Sequence, residues 1–121
     1  MDSILLFGET RKTHTRYMTV MENMLQANGD IKAVFAANDE MALGAMEAIS
    51  ASRKKIIVVG FDATDDAIAS IKDGKMSATI AQQPDLIGAT AVETAIKLIN
   101  GETVEKAIPV EVTLITAENA G

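Results

Sequence analysis

The sequence predicts an α/β fold, with a mainly parallel sheet covered by helices on both faces. Three observations carry this reading. Short apolar runs alternate with segments of helical period, which is the order of a β-α repeat. The run Ile56-Ile57-Val58-Val59-Gly60-Phe61 is β-branched and apolar at successive positions, so that both faces of its strand seek cover. Pro84 and Gly101 bracket one long helical segment in the order that helix termini favour, proline inside the start and glycine past the end.

The elements follow in order. Ile4–Phe7 is a short buried strand. Tyr17, Val20, Met21, Met24 and Leu25 recur at helical spacing, and that helix ends near Asn28-Gly29. Ile31–Ala36 forms the second strand. Met41, Leu43, Met46 and Ile49 lie on a helix that starts near Glu40. Ile56–Phe61 is the third strand, and Asp65–Lys72 a short helix that stops at Gly74. Ser77–Ala81 is the fourth strand. Pro84-Asp85 opens the longest helix, which ends at Asn100-Gly101, and Val110–Ile115 is the closing strand.

Composition bounds the rest. The 121 residues suit one domain of about 100–150 residues, and 48% hydrophobic content supports a core without staples. Seven methionines and no tryptophan make that core aliphatic. Seventeen acidic against 11 basic residues leave a net charge of −6, spread without long runs. No basic patch is visible to neutralise phosphates, so nucleic acid is not an expected partner. Cysteine is absent, which removes disulfides, thiolate metal sites and cysteine nucleophiles. No apolar stretch approaches the ~20 residues that span a bilayer. Met1-Asp2-Ser3 leads straight into the first strand, with no basic start and no cleavage site, so no signal peptide is expected within this chain.

Ligands of open α/β sheets bind beyond the carboxyl ends of the strands. The polar residues that follow each strand are therefore the candidates. They are Glu9, Thr10, Arg11, Lys12, Thr13 and His14 after the first strand, Asn38 and Asp39 after the second, Asp62 after the third, and Gln82 and Gln83 after the fourth. This set of carboxylates, carboxamides and hydroxyls suits a neutral polyol. Local roles compete with that reading. Asn38 or Asp39 fits the N-cap of the next helix, Asp62 fits a bond within its own turn, and Asp65-Asp66 fit a cap and the helix dipole. His14 is the single histidine, with no second metal ligand or paired nucleophile, and reads as a surface residue. No metal, cofactor or catalytic group is expected.

The enzyme fingerprints are missing. G-x-G-x-x-G, G-x-x-x-x-G-K-[ST] and G-x-S-x-G do not occur. A phosphoacceptor receiver fits the size and the fold class, with Glu9 and Asp62 near the acidic positions. It lacks the lysine after the last strand, where Gln82 and Gln83 stand.

Three linked strings then carry a resemblance: Ala33-Val34-Phe35-Ala36-Ala37-Asn38-Asp39-Glu40-Met41-Ala42-Leu43-Gly44-Ala45, Ile57-Val58-Val59-Gly60-Phe61-Asp62, and Ile71-Lys72-Asp73-Gly74-Lys75-Met76-Ser77-Ala78-Thr79-Ile80-Ala81-Gln82-Gln83-Pro84. From Met18 to Glu118 the chain resembles the C-terminal lobe of ribose-type periplasmic sugar-binding proteins. The ligand cores of lactose-repressor-type regulators share the fold and fit the strings less well. They are the alternative, marked by an upstream helix-turn-helix that this chain does not carry.

The resemblance implies a flavodoxin-like, doubly wound lobe and a non-enzymatic role: binding a ribose-like monosaccharide for delivery to an ABC importer, outside the cytoplasm. It implies that Asn38, Asp62 and Gln82 hydrogen-bond sugar hydroxyls, the same positions that the strand-end reading selects. It also implies gaps. Gly8–Tyr17 matches the family poorly, and Lys12 or its neighbours stand where relatives carry a stacking aromatic. The partner lobe is absent, and so is the strand that opens the C-terminal lobe at the centre of its sheet. Ile4–Phe7 either takes that central place or leaves the sheet one strand short. Residues 1–121 are therefore expected to form a single lobe, of which the helical segment 83–101 belongs to the other lobe in full-length relatives. With Leu86, Ile87, Val92, Ile96 and Ile99 along it, that helix is expected to fold back on its own sheet or to pair with a second copy by dimerisation or domain swapping.

Overall fold

The protein is described by a computed structural model that covers the backbone of residues 3–7 and 14–121 and the side chains from Thr15 onward. The expected order of elements is present: β1 (Ser3–Phe7), α1 (His14–Ala27), β2 (Ile31–Ala36), α2 (Asp39–Ser52), β3 (Ile57–Val59), α3 (Asp65–Lys72), β4 (Thr79–Ala81), α4 (Pro84–Ile99) and β5 (Thr113–Ile115). These elements group into two compact units. Residues 1–81 and 114–121 form the first, and residues 82–113 the second.

In the first unit β1, β2 and β3 pair in parallel in that order. β1 thus lies directly beside β2, in register from Ile4 against Ala33 to Phe7 against Ala36. The place next to β2 is filled rather than left open. β4 pairs with β5. Between the two groups the chain stays hydrogen-bonded: a parallel bridge joins Val59 to Ala78, and the Gly60 and Asp62 amides donate to the Ala78 and Ile80 carbonyls at 3.0 and 2.9 Å.

Three strands are shorter than their apolar runs. The β3 run loses Ile56 and Gly60-Phe61, the β4 run loses Ser77-Ala78, and the β5 run loses Val110–Val112. Apolar character extends further than regular pairing because the flanking backbone bonds singly, through bridges and loop contacts, rather than in a ladder.

The core shows how these residues fold. Val34 and Val58 face each other across the β2–β3 ladder, and both are buried. Met21 of α1, Ala42 and Ala45 of α2, and Ala67 and Ile71 of α3 join them in one cluster. The alanines let α2 lie close to the sheet, and the methionines fill what remains. Cover on the opposite face is lighter. Ala33, Phe35 and Val59 are half-buried there, and Ile57 is 57% exposed.

Local chemistry sets the joints. Asn28 Oδ1 accepts from the Asp30 amide and turns the chain from α1 into β2. α2 ends with Arg53 in the left-handed region, at φ 57°, and Lys54 Nζ donates to the Gly29 carbonyl. α3 ends at Gly74, whose φ of 71° suits a residue without a side chain.

The second unit consists of α4 and the segment that returns from it. Pro84 stands in the first turn, and the Asn100 and Gly101 amides bond to the last carbonyls of the helix. Ile87, Ala91, Thr94 and Leu98, spaced along one side of the helix, line a shallow groove of about 400 Å³ with Ile108 and Val110 of the returning segment. Gln83 Nε2 donates to the Glu111 carbonyl at 3.0 Å. The remaining side of α4 is left to solvent, and no residue of the helix is buried. Val92, Ile96 and Ile99 are 61%, 53% and 84% exposed.

Candidate functional site

The carboxyl edge of the first unit is built where β2, β3 and β4 hand over to their loops. Asn38 follows β2 and is the N-cap of α2. Its backbone is extended, and Oδ1 accepts from the Met41 amide at 2.9 Å. This settles which of Asn38 and Asp39 caps: the helix begins at Asp39, not Glu40, and Asn38 holds it. The cap uses the carboxamide oxygen, so the Nδ2 donors are the part of this half-buried side chain suited to a hydroxyl acceptor.

Asp62 follows β3 with φ 113°, and Ala63 follows it at φ 55°. Two successive side-chain-bearing residues thus occupy the half of conformational space that normally favours glycine, a feature that concentrates at ligand-binding sites. The Asp62 side chain is exposed at this edge. Asp65 and Asp66, candidates for the cap of α3, do not supply it. Thr64 does, with Oγ1 accepting from the Ala67 amide, while the two aspartates occupy the first turn and favour the positive end of the helix dipole.

Asp39 is the residue that strand-end reading misplaced. It is fully buried, with 0% exposure. Oδ1 accepts from the Thr79 hydroxyl at 2.6 Å, and Oδ2 accepts from the Thr64 amide at 2.7 Å. Thr79, equally buried, accepts in turn from the Ala63 amide at 3.3 Å. The Asp39 amide donates to the Phe61 carbonyl at 2.9 Å. A buried polar cluster thus ties the starts of α2 and α3 to β4, with every group partnered. Thr79 carried one readable signal in the sequence, a polar residue inside an apolar strand run.

Asn38 and Asp62 are brought to one edge of the first unit. Gln82 directly follows β4, as the first residue of the second unit, and is exposed. Gln83 serves the second unit through its bond to Glu111. Glu9 to Thr13 lie outside the described residues, as does the His14 side chain at the start of α1. Among the described residues, no three metal-ligating side chains converge, and no helix is long and apolar enough to cross a membrane. The edge offers hydrogen-bond donors and acceptors on a fixed backbone, which is equipment for binding polar groups.

Comparison with known proteins agrees in family and fold. Residues 8–103 match the periplasmic binding protein domain, so the match takes in residues 8–17 ahead of the expected start at Met18. The ribose import binding protein RbsB of Bacillus subtilis is 58% identical over 102 residues, 84% of this chain and 33% of the relative. Its counterpart in Haemophilus influenzae is 54% identical over the same share of this chain and 35% of the relative. The chain spans about a third of the length of these relatives.

Among solved structures, an ABC transporter solute binding protein from Bacillus halodurans with bound myo-inositol superposes with a TM-score of 0.72 at 43% identity. It covers 88% of this chain and 38% of that one. A periplasmic solute binding protein from Actinobacillus succinogenes with bound D-allose gives 0.74 at 36% identity, with the same coverage. With its parallel α/β unit, its polar carboxyl edge and this match over most of its length, the chain belongs to the periplasmic binding protein domain family.

Proposed function

We propose that this chain carries one side of a monosaccharide site of the ribose type, in which Asn38, Asp62 and Gln82 hydrogen-bond sugar hydroxyls. The observation that carries the reading is the placement of Asn38 and Asp62 at one carboxyl edge, on a turn whose backbone is held in an uncommon conformation. Relatives named for ribose import support the sugar class, and their role supports delivery to an ABC importer outside the cytoplasm.

The site is half of an enclosure. A pocket that buries a small ligand on most sides gains affinity by excluding water from its polar groups, and a single edge leaves those groups solvated. The chain alone therefore binds ribose weakly or undetectably by calorimetry, and millimolar sugar is needed to perturb the edge residues. Calorimetry with D-ribose tests this, and micromolar or tighter binding overturns the half-site reading.

The exposed side of α4 favours a second element of the same proposal. Leu86, Val92, Ile96 and Ile99 present apolar surface that a second copy of this chain covers by dimerisation. Light scattering over a concentration series reads it out. A mass that stays monomeric up to millimolar concentration rejects self-association.

A further inference from the structure

Asp39 has no exposure to solvent, so it makes no direct contact with a ligand at the edge. Nor is it a cap, since Asn38 and Thr64 fill those roles for α2 and α3. We propose that Asp39, with Thr79, is a positioning residue that clamps the left-handed Asp62–Ala63 turn and so aims Asp62 at its ligand. This inference rests on the reading of Asp62 as a sugar contact.

The clamp is visible bond by bond. Oδ2 of Asp39 holds the Thr64 amide directly behind the turn. Oδ1 accepts the Thr79 hydroxyl proton, which orients the Thr79 oxygen to accept from the Ala63 amide inside the turn. The Asp62 amide donates to the Ile80 carbonyl on the same strand as Thr79. Three consecutive amides, 62 to 64, are therefore fixed by groups far away in sequence: Asp39 lies 25 residues from Thr64 and 40 from Thr79.

The dihedrals say why a clamp is needed. Asp62 and Ala63 both have positive φ, which a free loop of these residues rarely adopts, and the surrounding bonds must over-determine it. A carboxylate that accepts on both oxygens does this, because without it each donor would be left buried and unpartnered. The arrangement passes the position of α2, which carries Asn38, directly to the turn that carries Asp62. Two of the three proposed sugar contacts, Asn38 and Asp62, thus share one anchor.

Amide hydrogen exchange and D-ribose titration, both followed by NMR on the full chain, test the clamp. In the unaltered protein the Ala63 and Thr64 amides should exchange as slowly as the core amides of Val34 and Val58. Exchange at the rate of an open loop overturns the proposal without any variant. In Thr79→Val, exchange at Ala63 and Thr64 should rise about tenfold or more while Val34 and Val58 hold their rates, and the Asp62 resonance should move. Thr79→Ser, which keeps the hydroxyl, should restore both. Equal acceleration at every amide assigns the cluster to stability alone and overturns the proposal.

In the titration, millimolar ribose should shift the Asp62 signal, Thr79→Val should weaken that response several-fold, and Thr79→Ser should recover it. If ribose moves no signal in the unaltered protein, the sugar reading fails, and the exchange pattern still decides the clamp.

Discussion

Gly60 leaves the space that the Asp39 carboxylate occupies: a β-carbon built on Gly60 would fall onto Asp39 Oδ1 and crowd the Ala42 methyl. The glycine of the Gly60-Phe61-Asp62 string is thus required by close approach rather than by its own dihedrals. The string and the Asn38-Asp39 string meet at this contact.

Gly60→Ala is accordingly an overpacking change at a buried polar cluster. Displacing the carboxylate breaks its bonds to Thr64 and Thr79, and a loss of about 1–3 kcal/mol is expected. Urea denaturation measures it as a lowered midpoint at unchanged slope. A midpoint equal to that of the unaltered protein would show that Asp39 can move without cost.

Asn38 is separable into two roles. Asn38→Ala removes the cap of α2 and should cost about 1 kcal/mol of stability. Asn38→Asp keeps an oxygen for the Met41 amide and should retain most of that stability, while losing the Nδ2 donors. Comparing thermal midpoints with the ribose response in NMR distinguishes them. An unaltered response in Asn38→Asp argues against an amide contact to sugar.

Ala63 sits at φ 55°, where a β-carbon meets the following carbonyl. Ala63→Gly relieves a conformational penalty of about 1 kcal/mol, so the variant should be more stable despite the added freedom of its unfolded chain. Chemical denaturation checks the sign. A destabilised Ala63→Gly would mean that the methyl group packs to an extent that outweighs its strain.

Burial predicts a sharp contrast between α1 and α4. Met21 is fully buried, and Met21→Ala should cost about 2–5 kcal/mol. Val92 is 61% exposed, so Val92→Asp should change the monomer's stability by no more than about 0.5 kcal/mol. The same change places a charge on the apolar side of α4 and should abolish self-association in sedimentation velocity. An association that survives it must use another surface.

The sequence by itself determined the elements and their type, because hydrophobic period is a local property of the chain. The runs around Val34 and Val58, the helical spacing of Met21 and Met24, and the Pro84 and Gly101 boundaries all correspond to structure. It also picked out Asn38 and Asp62, since a polar residue after a strand lands on the carboxyl edge of any parallel sheet. Tertiary structure decided how Asn38 and Asp39 divide their local roles. Whether Asn38 or Asp39 caps α2 depends on which side chain meets the Met41 amide, and both types are good caps in isolation. One partner of Asp39 is Thr79, 40 residues away, and no local pattern links two residues that only the β2–β3–β4 crossovers bring together. The same limit applies to β1, whose apolar run fits any position in a sheet and which only pairing places beside β2. Period and capping act over a few residues, whereas a buried hydrogen bond between distant strands exists only once the chain has closed around it.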